Sequence, residues 1–189
     1  MLNLKLALFK IKNFFIIIKS RLLKKKISLK YKENKNNFEK LVEKKNFSHK
    51  WFLNNFEIFS HYLPKELNKE FSYLEIGSFE GLSALNILSN YPNSKVTVID
   101  LWSESNLNSE SLEVNFIEVE KRFDENLKGY NFIKIKKDSV IALRELLKKN
   151  ISFDIIYIDG SHNGEDILSD AIEAFKILKV NGLMFFDDF

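Results

Sequence analysis

Phe153-Asp154-Ile155-Ile156-Tyr157-Ile158 runs into Asp159-Gly160-Ser161-His162, and further on Leu183-Met184-Phe185-Phe186 runs into Asp187-Asp188. Between them lies a helical pattern. Short apolar runs of this length, bounded by polar residues, read as buried strands. A strand–helix–strand unit makes its two strands parallel, so both carboxyl ends emerge on one side of the sheet. Open α/β sheets bind ligands on that side. Asp159, His162, Asp187 and Asp188 are therefore expected at one crevice.

Working outward, the same alternation continues. Residues 71–76, 95–100 and 132–136 read as strands; residues 82–88, 112–127 and 140–147 read as helices, with Gly129 as a C-terminal stop. Trp51, Phe52, Phe56, Phe59 and Leu63 recur at helical spacing, and Pro64 closes that helix. Residues 101–110 are a polar loop. Strands alternating with helices argue for a mostly parallel sheet covered on both faces, an α/β Rossmann-like fold. The expected organisation is a basic leader and linker over residues 1–46 and one domain over residues 47–189.

Charge separates these parts. Residues 1–50 hold 15 of the 29 Lys and Arg but 3 of the 26 Asp and Glu, a net of +12; the remaining residues carry −9. Residues 1–30 mix Leu, Ile and Phe with lysines, and the longest uncharged run, Asn13 to Ile18, is far short of a spanning helix. Lys10 and Lys12 interrupt what a signal peptide would need as an apolar core. The leader reads either as a basic amphipathic helix on an anionic membrane surface or as a helix packed on the domain with solvated lysines. The expected setting is cytoplasmic, with peripheral membrane contact through residues 1–30. Nucleic acid is not expected, because no recognition motif is present and the main domain is acidic. The chain has no cysteine, which excludes disulfides, Cys-ligated zinc and thiol catalysis.

The first strand-to-helix turn is Glu75-Ile76-Gly77-Ser78-Phe79-Glu80-Gly81, and Asp100 ends the next strand, 23 residues after Gly77. Glycines permit a sharp turn and close approach of a ligand, and the following helix points its first N–H groups there. An acid at the end of the second strand can accept ribose hydroxyls. The spacing is Gly-x-x-x-Gly rather than Gly-x-Gly-x-x-Gly, and Phe79 stands where a dinucleotide pyrophosphate needs a small residue. A nucleoside ligand without phosphates fits better than a nicotinamide dinucleotide. Trp102, beside Asp100, reads equally as a cover for the adenine face and as ordinary packing.

Tyr73-Leu74-Glu75-Ile76-Gly77-Ser78-Phe79-Glu80-Gly81 resembles the first motif of class I S-adenosylmethionine-dependent methyltransferases. Ile158-Asp159-Gly160-Ser161-His162, Asp170, Leu178-Lys179-Val180-Asn181-Gly182 and Phe186-Asp187-Asp188 resemble the branch containing macrocin and related sugar O-methyltransferases. The resemblance covers roughly Trp51 to Phe189. It implies that Glu75, Gly77, Ser78, Gly81 and Ser83 shape the pocket for the methionine end of the cofactor. It implies that Asp100 binds the ribose and that Asp138 and Ser139 lie near the adenine. Asp159, Asp187 and Asp188 match positions that hold a divalent cation such as Mg²⁺, and Asp159 and His162 take the catalytic positions. Asn163-Gly164 and Asn181 depart from the family pattern. The chain ends at Phe189, two strands before the family sheet does, leaving an apolar edge that pairing with a second copy would cover.

The implied reaction is O-methylation of a small hydroxylated, sugar-like acceptor. Hard carboxylate oxygens suit Mg²⁺, Ca²⁺ or Mn²⁺, and a cation bound to a hydroxyl lowers its pKa. Asp187 and Asp188 share one ion only if the strand has ended before them, because strand neighbours point to opposite faces. The competing reading is a non-catalytic cofactor-binding or scaffold module held at a membrane by the basic leader. A nicotinamide-dependent oxidoreductase comes third.

Overall fold

The computed structural model describes residues 2–66, 68–103, 115–161 and 163–187, with side chains from residue 19 onward. The chain divides into two compact units, one formed by residues 1–43 with 51–63, the other by residues 44–50 with 64–189. This grouping differs from the expected division into residues 1–46 and 47–189, and the reason is a buried stripe in the first helix.

In the first unit, α1 (Leu2–Val42) is one continuous helix, followed by a 3-10 turn (Trp51–Asn54) and α2 (Phe56–Tyr62). Residues 31–42, expected as linker or frayed helix, belong to α1. Ile27, Tyr31, Phe38 and Val42 are all buried. Their spacing of four, seven and four residues places them on one helical face. Phe38 stacks on Phe56 at 5.3 Å, and Phe52 meets Phe59 edge-on at 5.3 Å. Lys35 reaches the Glu57 carboxylate at 3.3 Å.

The second unit holds a five-stranded parallel sheet in the order β3-β2-β1-β4-β5. The strands are β1 (Ser72–Ile76), β2 (Lys95–Asp100), β3 (Ile133–Lys136), β4 (Phe153–Ile158) and β5 (Leu178–Phe186). The helices between them are α3 (Leu82–Asn90), α4 (Phe116–Asn126), α5 (Ser139–Lys148) and α6 (Gly164–Phe175). β1, β2 and β4 are buried on both faces because they lie inside the sheet. Leu74, Ile76, Ile99, Ile156 and Ile158 pack with Leu143 and Leu146 of α5 and Ala174 of α6 in one core.

β5 starts earlier than the apolar run suggests. Its pairing with β4 shifts between Phe153↔Leu178 and Ile155↔Leu183, so β5 carries extra residues there. Asn181 adopts the left-handed conformation (φ 63). A Cβ on Gly182 would sit 2.8 Å from the Lys179 carbonyl and 3.0 Å from that of Asp154. Asn tolerates the left-handed region better than most residues, which suits Asn181 to this position. Asn163, the other departure, caps α6 by accepting the Glu165 N–H at 3.2 Å.

Candidate functional site

The strand ends on the carboxyl side of the sheet are tied in series. The Gly77 N–H donates to Ile99 O at 2.9 Å, the Asp159 N–H to Ile76 O at 2.8 Å, and the Asp187 N–H to Ile158 O at 3.0 Å. The strand order reverses between β1 and β4, and that is where such sheets open a ligand crevice. Gly77 and Asp159 stand on its two sides. Gly77 has φ 78, and a Cβ there would lie 2.2 Å from the Asp159 carbonyl oxygen. Only glycine lets the two strand ends approach this closely. Gly81, at φ 85, begins α3, and a Cβ would press on Phe123 and Leu127 at 3.0 to 3.1 Å. Packing within the protein accounts for both glycines.

Glu75 is completely buried. Its carboxylate accepts hydroxyl groups from Tyr73 at 2.7 Å, Ser78 at 2.5 Å and Ser83 at 2.8 Å. Burial pushes its pKa up to about 7, against the pull of these three hydrogen bonds. Three of the expected cofactor residues, Glu75, Ser78 and Ser83, thus form one buried cluster beneath the turn.

Asp100 holds the top of the same turn. Its Oδ2 accepts the N–H groups of Ser78 at 2.8 Å and Phe79 at 2.9 Å, and its Oδ1 accepts the Trp102 N–H at 2.8 Å. Burial raises its pKa, while those N–H groups oppose the shift. Phe79 (φ 52) and Trp102 (φ 42) are both left-handed, a conformation that costs a bulky residue on the order of 1–3 kcal/mol. The Asp100 bonds and the Trp102 Nε1–H donated to Phe79 O at 2.9 Å offset that strain. The Trp102 ring is 3% exposed and packs on Phe123 at 4.7 Å, which is the packing alternative of the two readings.

The sequence did not flag Glu80 as a structural anchor. It is buried and accepts Ser48 N–H at 2.6 Å, Ser48 Oγ–H at 2.7 Å and Arg122 at 2.6 Å. Asn126 exchanges hydrogen bonds with Asn46 (2.8 and 3.1 Å) and also donates to Glu80 O at 3.1 Å. These bonds hold residues 46–48 against the turn, and His49 lies edge-on to Phe79 at 6.0 Å.

Tyr157 joins the β4 and β5 ends. It pairs in register with Glu75 on one side and Phe185 on the other. Burial, followed by the nearby Asp159 and Asp187 carboxylates, raises its pKa far above the ordinary phenol value. Asp159 and Asp187 therefore act on one phenol, and both follow the last residues of their strands, Ile158 and Phe186. His162 and Asp188 lie outside the described residues. Among the described residues no group of three His, Cys, Asp or Glu is placed to hold a metal ion.

Asp138 and Ser139 sit apart, at the start of α5. Asp138 caps that helix by accepting the Ile141 N–H at 3.0 Å. Ser139 hydrogen-bonds to Asp170 of α6, whose pKa burial pushes up to about 6. Asp170 is buried, lies 3.8 Å from where a Cβ on Gly160 would be, and has one oxygen without a partner.

A parallel sheet of this order, with its acids and glycine turn at the carboxyl end, defines a Rossmann-like α/β domain of the methyltransferase type. Residues 74–189 match the family model described as a methyltransferase domain, and the chain belongs to that family. It is 25% identical over 124 residues to the uncharacterized protein R132 of Acanthamoeba polyphaga mimivirus, covering 64% of this chain and 52% of that protein. The chain thus spans about half the length of the curated relative it matches. An S-adenosylmethionine-dependent methyltransferase from Agrobacterium tumefaciens superposes with a TM-score of 0.53 at 14% identity, covering 70% of this chain and 43% of that one. The MycE methyltransferase of the mycinamycin biosynthetic pathway, solved with Mg, S-adenosylhomocysteine and mycinamycin VI, gives 0.51 at 20% identity, covering 80% and 36%. At these identities the likeness is one of fold.

Proposed function

We propose that this chain binds S-adenosylmethionine and transfers its methyl group to the hydroxyl of a small, sugar-like acceptor with help from a divalent cation. The observation that carries this reading is the turn folded onto Asp100 beside the β1/β4 switch point, in a chain of the methyltransferase-domain family. The residues assigned to the cofactor are Glu75, Gly77, Ser78, Gly81 and Ser83 at its methionine end, Asp100 at the ribose, and Asp138 and Ser139 at the adenine. When bound, the cofactor would supply an electrophilic methyl carbon for the acceptor oxygen, with a thioether as the leaving group.

This chain's own part is to position and to hold charge. Alignment of acceptor and donor is the main source of rate in such a displacement. The acceptor hydroxyl must lose its proton, and Asp159 and His162 are the groups assigned to that step. Asp159 and Asp187, with Asp188, are the oxygen donors assigned to Mg²⁺, a hard ion that carboxylates suit. Asp159 and Asp187 follow the ends of the paired strands β4 and β5, which supports an oxygen-rich, negatively charged edge there. MycE, whose structure holds Mg, has the same fold.

The test is production of S-adenosylhomocysteine from S-adenosylmethionine across a panel of hydroxylated acceptors, with Mg²⁺ or with a chelator. Acceptor-dependent turnover that the chelator abolishes is the expected result. Turnover indifferent to chelation removes the cation, and absence of turnover by a folded, cofactor-binding sample removes the enzyme.

A further inference from the structure

The α1 helix has a second face that its own unit does not use. Ile27 is 5% exposed and lies on the buried side, whereas Leu22 and Leu29 are 63% and 67% exposed. Leu22 and Leu29 are seven residues apart, two helical turns, and so share one face. Leu29 is two residues, about 200° of helical rotation, from Ile27, which places that face opposite the buried stripe. Lys25 and Lys26 fall on either side of the Leu22–Leu29 line, and both are exposed. Between residues 19 and 32 the sequence has seven Lys and Arg and no Asp or Glu. Residues 2–18 continue the same helix with Leu, Ile, Phe and Lys and again no carboxylate.

We propose that this face of α1 docks in the plane of an anionic lipid surface. The leucines enter the boundary between headgroups and acyl chains, and the lysines beside them reach up along their own stems to the lipid phosphates. Charge selects this occupant. A second copy would bring the same cations face to face with no acid to pair them, which is repulsive. A nucleic acid would satisfy the lysines but would leave the leucines exposed. No helix among the described residues is long and apolar enough to cross a membrane, so α1 lies on the surface rather than through it. The proposal stands on unit-one residues alone and does not depend on the methyl-transfer reading.

The test is co-sedimentation of the full chain with vesicles of phosphatidylcholine, with and without about one-third phosphatidylglycerol, at low and high salt. Binding to the anionic vesicles alone, released by salt, is expected. The K25Q/K26Q variant should partition on the order of 30-fold more weakly. The L22S/L29S variant should partition roughly tenfold more weakly with its circular dichroism unchanged, because both side chains are already exposed. Equal binding to neutral vesicles, or undiminished binding of the lysine variant, overturns the proposal. So does a salt-sensitive complex with duplex RNA, indifferent to L22S/L29S, from a chain that leaves anionic vesicles in solution. A dimer that L22S/L29S dissolves, again without vesicle binding, overturns it in favour of a second copy.

Discussion

The carboxylate of Asp100 accepts the backbone N–H of Ser78 at 2.8 Å, joining the end of β2 to the turn that follows β1. This bond and its neighbour from Phe79 set the shape of the proposed cofactor pocket, so the site and the stability of the turn are linked at one side chain.

Asp100→Asn should expose that link. An amide has one acceptor oxygen and one NH₂ donor group, so one end of it must face an N–H donor. Loss of a charge-assisted bond and the donor–donor contact should cost roughly 2–3 kcal/mol. Urea unfolding checks the loss of stability; the same variant should also lose S-adenosylhomocysteine binding.

Gly77→Ala and Gly129→Ala make a matched pair. Both glycines have positive φ, but a Cβ at Gly77 meets the Asp159 carbonyl at 2.2 Å, while one at Gly129 meets nothing within 4 Å. Gly129→Ala should cost about 1–2 kcal/mol from backbone strain alone. Gly77→Ala adds a backbone clash that no rotamer relieves and should cost roughly 3 kcal/mol or more. Equal thermal midpoints for the two variants would refute the close β1–β4 approach.

Glu75 gives a pH signature. Its pKa rises from 4.5 unfolded to about 7 folded, so between these values the folded protein holds a proton that the unfolded chain has lost. Stability from this group is fully present below 4.5, falls as pH rises, and is gone above about 7. The span corresponds to on the order of 3 kcal/mol. Chemical unfolding of the wild type and of Glu75→Gln across that range should show the wild type losing ground to the variant as pH rises. Parallel curves would contradict the buried cluster.

Arg122→Ala leaves Glu80 buried with its cation gone. Arg122 is partly exposed, so the expected cost is about 1–3 kcal/mol, below that of a fully buried pair. Because Glu80 also holds Ser48, hydrogen exchange at the Ser48 N–H should quicken in the variant.

Much of this fold is legible in the sequence because its strands are buried on both faces. Residues 153–158 and 95–100 are short, mainly apolar runs, the first followed by Asp159 and the second closed by Asp100, and β4 and β2 occupy those ranges. β5 is less legible, since Asn181 and Gly182 interrupt its pattern and the pairing register shifts there. α1 extends through Glu33 to Asn37, which read as polar linker; the signal was the Ile27, Tyr31, Phe38 and Val42 stripe on the far side of those residues. At the site, the motif marks Glu75 and Ser78, and the helix start and second strand end that follow mark Ser83 and Asp100; the fold brings these four together. Glu80 lies within the same motif, but its partners Ser48 and Arg122 are 32 and 42 residues away, and spacing cannot reveal them.

The most direct test of the account is calorimetric titration of the full chain with S-adenosylhomocysteine, alongside Asp100→Asn. Saturable one-to-one binding by the wild type, lost in the variant, is the predicted result. A folded wild-type sample that takes up no ligand would contradict the assignment of the β1 turn and Asp100 as a cofactor site.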